Sequence, residues 1–277
     1  MKTLFIIPLV VCSAFSYANV QTSTTNLSDA FSNKRDPGGY FSTGLVLEHQ
    51  QGLYKSEGFE SRLSLRGAYY FENGLFLELP GFSDKFESNF AVGYNLANVG
   101  DWEFDSIFST AHGELNYNYR EDSFNKNSTP YIGLRAMGTI AGLDAMFIYG
   151  INTNKSDFSG GHYAAAWLAK SWNVQNWHFF SSIGLQYRDD EILDYYYGVP
   201  ESARYHPTFN ADGGFNFIYK MGVKKPITEN WLVEGFLSYT DYADSIVDSP
   251  YSQNILKFNE GRSDKGSRIS VSLHYVF

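Results

Sequence analysis

The chain has 277 residues, with 21 Lys and Arg against 30 Asp and Glu for a formal charge of -9, 21 Tyr, 23 Phe and a single cysteine, Cys12. An acidic balance of this size excludes nucleic acid as a partner, since a phosphate-binding surface needs a basic excess. The lone cysteine falls in what reads as a removable leader, which excludes a disulfide-stapled fold, a thiolate metal site and a cysteine nucleophile together.

Residues 1–18, MKTLFIIPLVVCSAFSYA, have the build of a secretory signal peptide: Lys2, an apolar run from Leu4 to Ala14, then Ser16 and Ala18 at the small positions before a cut. A lipid anchor on Cys12 would need a small residue before it, and Val11 stands there. Residues 19–37 are rich in Ser, Thr and Asn and read as a flexible periplasmic leader. Beyond them no run of eighteen or more apolar residues offers a membrane-spanning helix. Aromatics nevertheless make up 18% of the chain at a mean hydropathy of only -0.30. Alternation produces that combination, because a polar neighbour dilutes every apolar residue.

From Gly38 onward the pattern has a period of two. Tyr40–His49 sets Phe41, Leu45 and Leu47 against Ser42, Gly44 and Glu48, and Ser61–Phe71 sets Leu63, Leu65, Tyr69 and Phe71 against Arg62, Ser64 and Arg66. Similar segments follow at 74–81, 86–97, 101–112, 130–140, 142–152, 162–172, 177–188, 213–225, 231–241 and 267–277. That makes about twelve, each near the ~9–11 residues that a tilted strand needs to cross a bilayer. Tight-turn sequences join alternate pairs: ENG (72–74), NVGD (98–101), Gly142, NVQN (173–176) and PITEN (226–230). The other links are longer, reaching about two dozen residues after the ninth and eleventh segments, and only FSDK (82–85) breaks the alternation. An even strand count with short turns at one end predicts an all-β fold over 38–277, a transmembrane antiparallel up-and-down β-barrel with short periplasmic turns and longer extracellular loops. A soluble β-sandwich would share the alternation and the turns but gives no reason for such long strands or such an aromatic load.

Sorting by parity, the expected lipid-facing set is Phe90, Val92, Tyr94, Phe104, Phe108, Leu143, Phe147, Trp167, Trp177, Phe179, Phe215, Phe217, Trp231 and Val233, without a charge. The expected inward set holds Arg62, Arg66, Arg135, Lys170, Arg188, Lys220 and Arg268 against Glu48, Glu87, Glu103, Asp105, Asp144 and Glu234. A lipid-facing charge costs a few kcal/mol at the midplane, so the segregation is demanded. Near balance inside predicts ion pairs that occlude the lumen. Trp102, Trp177 and Trp231 flank predicted periplasmic turns, where an aromatic girdle belongs.

No catalytic, cofactor or metal residue is assigned. The six His residues have no HExxH spacing, and His162, His178 and His274 read as inward lining. The acidic loops RDDEILD (188–194) and TDYADSIVD (240–248) could hold calcium but lack the twelve-residue loop pattern and read as solvated.

Two loops carry a family signature. DYYYGVPESARYHP (194–207) presents Tyr196, Tyr197, Gly198, Val199, Glu201, Ser202 and Ala203, and the stretch from Ile227 presents Asn230 and Trp231, then Asp248, Ser249 and Pro250. Together with a terminal strand ending YVF, they resemble the MipA/OmpV family of Gram-negative outer-membrane proteins. The resemblance implies a fully spanning barrel in the cell outer membrane. For some members it implies a scaffold bridging a lytic transglycosylase and a bifunctional peptidoglycan synthase, and for others adhesion or osmotic response. It carries no catalytic residue across. Tyr195–Tyr197 are expected to pack inward with Pro200 and Pro250 and close the mouth; the alternative makes them an exposed binding surface. In SRISVSLHYVF (267–277), Ile269, Val271, Leu273, Tyr275 and Phe277 share one face and resemble the final-strand signal that barrel-assembly machinery reads. The reading is thus a monomeric, non-enzymatic barrel in contact with outer-membrane lipid and lipopolysaccharide. A narrow channel, a surface adhesin and a rim-located hydrolase are its rivals.

Overall fold

The computed structural model describes residues 37–277 apart from 55–56, 80, 82–83, 88, 120–121, 153–154 and 259. The expected signal peptide, and all of the expected leader except Pro37, lie outside the described residues.

Among the described residues fourteen strands form: β1 (Gly38–Gln51), β2 (Gly58–Tyr70), β3 (Leu75–Leu79), β4 (Ala91–Val99), β5 (Trp102–His112), β6 (Leu115–Tyr119), β7 (Asp122–Lys126), β8 (Thr129–Ile140), β9 (Leu143–Asn152), β10 (His162–Val174), β11 (Trp177–Arg188), β12 (Gly214–Pro226), β13 (Trp231–Asp241) and β14 (Lys265–Val276). Twelve of them close a barrel in the order β1-β14-β13-β12-β11-β10-β9-β8-β5-β4-β3-β2, while β6 and β7 make a separate hairpin. The seam is antiparallel and runs from Ser42↔Val276 to Gln51↔Ser267. Phe277 extends it, with its N–H donating to Phe41 O at 2.9 Å and the two rings 5.9 Å apart. The predicted fold class is therefore the one observed.

Five short turns lie at one end, together with Gly38 and Val276. Between Ile140 and Leu143 the turn needs two left-handed residues, supplied by Ala141 (φ 51°) and Gly142 (φ 76°). Around this end the outer wall carries a belt of touching rings: Trp102 stacks on Phe104 and Phe147, Trp172 and Trp177 on Phe179, and Trp231 meets Tyr275, which meets Phe277. These are the interfacial aromatics expected beside periplasmic turns. Higher up the wall, apolar side chains such as Leu63, Leu65, Ile132, Leu134, Phe215 and Val271 stand exposed. An apolar face turned outward is stable only against lipid.

Three expectations fail. First, β10 has the opposite parity: Trp167 is 1% exposed and points into the lumen, Lys170 is exposed and donates to Gly142 O at 2.8 Å, and exposed His162 meets Tyr149 on the outer wall. The register explains it. Trp167 pairs with Gly184, where an added Cβ would lie 2.4 Å from the indole, so a glycine on the inner wall makes the space for the ring. Second, the strands expected at 74–81 and 86–97 are shorter, and the chain leaves the wall between Leu79 and Ala91. Glu87 is therefore not on a strand. Third, the link that holds FSDK spans eleven residues between β3 and β4, so the alternation of short turns and long loops is unbroken.

Gly184→Val is expected to drive the indole off its seat and lower stability by ~1–3 kcal/mol, as overpacking does. The unfolding midpoint of the refolded barrel in detergent measures this, and an unchanged midpoint would mean that Trp167 can move aside freely.

Candidate functional site, a filled lumen and a capped mouth

The inner wall carries the charge. Arg66 on β2 makes a two-pronged pair with Glu234 on β13, at 3.0 and 2.6 Å, and Lys224 lies 3.6 Å from the same carboxylate. Arg135 on β8 holds Glu78 on β3 at 2.7 and 3.0 Å and Asp105 on β5 at 3.2 Å. Glu48 takes Arg62 at 2.8 Å and Arg268 at 3.6 Å. Each pair ties different staves, so the network braces the barrel in cross-section. A pair buried to this degree depends on both members, because removing one leaves an uncompensated charge.

Residues 84–87 complete the filling. Leaving β3, they cross the lumen to β9, β10 and β12, of which β10 and β12 lie five staves from β3 in opposite directions around the ring. Lys85 pairs with Asp144 at 2.7 Å, Asp84 lies 3.6 Å from Lys224, Lys220 donates to Phe86 O, and Tyr163 donates to Glu87. Phe86 is 7% exposed and joins the core that contains Trp167, Met146 and Tyr163. The ammonium of Lys220 sits 4.6 Å over the Trp167 ring. Periodicity assigned Glu87, Lys220 and Asp144 correctly to the interior but could not reveal that a loop meets them there.

The mouth is closed by three loops. One forms α1 (Asp190–Tyr197), whose cap is Asp189: its side chain accepts from Ile192 N at 3.1 Å and from His162 N at 2.6 Å. Of the acids of RDDEILD, Asp189 is thus a helix cap and Asp190 and Glu191 lie in the first turn, where the helix dipole favours negative charge, while Asp194 further along accepts from Ala211 N at 2.9 Å. Ile192, Leu193, Tyr196 and Tyr197 turn downward and are buried. Tyr196 stacks on His112 with ring centroids 3.8 Å apart and shares a 2.5 Å hydrogen bond with Thr129, while Tyr197 OH meets His112 Nε2 at 3.0 Å. The second loop forms α2 (Asp244–Val247) and α3 (Pro250–Phe258), and the third is the β6–β7 hairpin.

The two family-signature segments meet here. Ser249, fully buried, donates to Tyr197 O at 2.7 Å and so joins them. Pro250 opens α3, where a missing N–H costs nothing. Gly198 has no room for a side chain, since a Cβ would lie 2.3 Å from Asp194 Oδ1. Val199 exchanges backbone hydrogen bonds with Phe209 at 2.7 and 3.0 Å. Ala203 is half-buried, whereas Glu201, Ser202 and Asp248 are exposed. Tyr196 and Tyr197 therefore pack into the mouth, but Tyr195, expected beside them, is only half-buried and donates to Asp157 O at 2.8 Å, and Pro200, expected to pack with them, is exposed. No motif in the chain marks the partners His112, Thr129 and Tyr117. Ile269, Val271, Leu273 and Phe277 stand exposed on the outer wall, with Tyr275 half-exposed among the belt aromatics.

An apolar outer wall, a girdle at the turn end and a charged, filled interior define a transmembrane β-barrel of the outer-membrane type. A family model described as "MltA-interacting protein MipA" matches residues 43–277, and the chain belongs to that family. No curated protein matches. Similar solved structures include the NanC porin, with 10% identity over 84% of this chain and 98% of that one at a TM-score of 0.47. OmpT of Vibrio cholerae gives 8%, 88%, 99% and 0.43. The translocator domain of the autotransporter NalP from Neisseria meningitidis gives 10%, 91%, 92% and 0.42.

Burial raises the phenols of Tyr196 and Tyr242, both outside the strands, from an ordinary 10 to about 12. Below pH 10 both are neutral, folded or unfolded, and the cap keeps its full stability. Above 10 an unfolded cap releases protons that the folded one retains, so stability falls between pH 10 and about 12. Tyrosinate absorbance followed alongside protease cleavage in 189–212 is expected to show cleavage appearing only in that window. Cleavage that does not change across it would contradict the assignment.

Proposed function

We propose that this chain is a non-enzymatic outer-membrane scaffold that works as a monomer through its surfaces rather than through its lumen. The observation that carries the reading is the double filling of the barrel, by residues 84–87 across the lumen and by α1, α2, α3 and the β6–β7 hairpin over the mouth. Twelve strands enclose more room than an eight-stranded barrel filled by wall side chains alone, and here a loop takes up that room. The partner class follows from the family's description as MltA-interacting, which favours a lytic transglycosylase, with a peptidoglycan synthase as the second enzyme to be bridged. Such a partner acts on murein and meets the barrel at the end with the short turns. Pull-down with the tagged protein from detergent-solubilised envelopes is expected to recover transglycosylase activity well above an unrelated barrel. Recovery no better than that control would sink the scaffold reading.

The rival channel is tested separately. In planar bilayers the protein is expected to stay silent, and reproducible single-channel steps would favour the pore.

The outward face of β14 is proposed as the assembly signal, with Ile269, Val271, Leu273, Tyr275 and Phe277 presented to barrel-assembly machinery before the seam closes. Its support is the exposed stripe and the bond from Phe277 N–H to Phe41 O. Removing Phe277 is expected to lower outer-membrane insertion several-fold, measured by fractionation. Normal insertion would refute the signal role.

A further inference from the structure

Lipid tolerates few charges on an outer wall, and among the described residues the wall strands present charge outward at two places. At the loop end Asp241 on β13 and Lys265 on β14 lie opposite one another and pair. At the turn end stand Lys170 on β10 and Lys225 on β12, both positive. Lys170 is exposed, and Lys225 shares the parity of the exposed Phe215, Phe217 and Met221. Lys170 donates to Gly142 O at 2.8 Å, and the Lys225 ammonium sits 4.5 Å over the Trp177 ring. A carbonyl and a ring face leave a formal charge uncompensated, and among the described residues neither lysine has a carboxylate as partner.

The two lysines bracket one sector of the wall. Lys170 lies opposite Ser181, Trp172 opposite Phe179 and Val174 opposite Trp177, while Val223, two residues before Lys225, lies opposite Phe179 on its other side. Between the lysines the rings of Trp172 and Trp177 both stack on Phe179, at 5.8 and 6.3 Å. Strand rise and spacing put the two lysine Cα atoms about 16 Å apart. Each lysine is therefore a site of its own, and the aromatic stack is the apolar floor between them. Both sites are at the level of the turns: Lys170 reaches the turn between β8 and β9, and Lys225 is the last residue but one of β12.

We propose that this sector binds anionic phospholipid of the periplasmic leaflet, with a headgroup phosphate at each lysine and acyl chains over the aromatic stack. The Lys170 ammonium spends one of its N–H groups on Gly142 and has the others for phosphate oxygens. Interfacial rings mark the depth where headgroups meet chains, which is where the phosphates lie. The sign of the charge selects the lipid, because a zwitterionic headgroup brings its own cation toward the lysine and an anionic one does not. The position of the lysines on the wall, rather than on the turns below it, favours lipid over an acidic protein surface. The inference is independent of the scaffold reading, which concerns a partner beneath the turns.

The test uses the refolded full-length protein in phosphatidylcholine vesicles with a rising share of phosphatidylglycerol brominated on its chains. Bromine quenches tryptophan on contact, so quenching reports how far the anionic lipid is enriched beside the wall over the bulk bilayer. Enrichment of about five-fold is expected. It falls to the bulk value when Lys170→Gln and Lys225→Gln are combined, is intermediate with either alone, and survives replacement of both by Arg. Lys225→Gln breaks no hydrogen bond, so its result does not hang on the refolding of the Lys170 variant. No enrichment, or enrichment that the paired Gln variant leaves unchanged, overturns the proposal. If that variant keeps the lipid but loses transglycosylase activity in the pull-down, the lysines belong to a protein partner, and the lipid proposal falls while the scaffold reading stands.

Discussion

Within the hydrocarbon of a membrane every backbone N–H and C=O has to be satisfied by the protein itself. A closed antiparallel ladder meets that demand, and the rest of this structure follows from closing it. The register from Ser42↔Val276 to Gln51↔Ser267 removes both free edges of the sheet. Once the sheet is closed, each strand has one face toward lipid and one toward a confined interior. Charge is then confined to the interior, and there it has to be paired.

Pairing explains why the interior is filled rather than merely lined. Arg66, Arg135, Lys220 and Lys224 sit in a space too narrow to hydrate them freely, and carboxylates from several staves supply only part of the compensation. The remainder comes from residues 84–87, where the Asp84 carboxylate and the main-chain carbonyls of Asp84 and Phe86 meet the cations of β12. The loop is thus the counter-charge of the far wall. Trp167 and Phe180 face the same space over glycines, so aromatic area and cationic groups share it.

The wall was legible in the sequence wherever charge marked one parity. In β2, Arg62, Ser64 and Arg66 oppose Leu63 and Leu65, and no other assignment is physically tolerable. HYAAAWLAKSW in β10 has apolar residues at both parities and a single lysine, so its orientation is set by partners such as Gly184 and Arg188, twenty or so residues away. The lysine itself misled, because near the turn end it can lie along the outer wall and reach the carbonyl of Gly142. The inserted segment was illegible for a related reason: Phe86 and Glu87 look like strand residues until Tyr163 and Lys220 are known to face them. At the mouth the tyrosines of 195–197 were visible as a motif and the inward packing of Tyr196 and Tyr197 could be anticipated, but not the outward turn of Tyr195 or the His112 and Thr129 that receive the other two.

The cap is built from segments far apart in the chain. Tyr197 meets His112 across 85 positions, and Asn254 meets Tyr117 across 137. Contacts of such separation form late, after the loss of loop entropy has been met by other pairings. Here those pairings are the strands, for α1 and α3 come near the β6–β7 hairpin only once β5, β11 and β13 are fixed around one ring. The cap is therefore a product of closure and cannot precede it. A chain caught between insertion and sealing would show its tyrosine-rich loops to the outside while its wall was already complete.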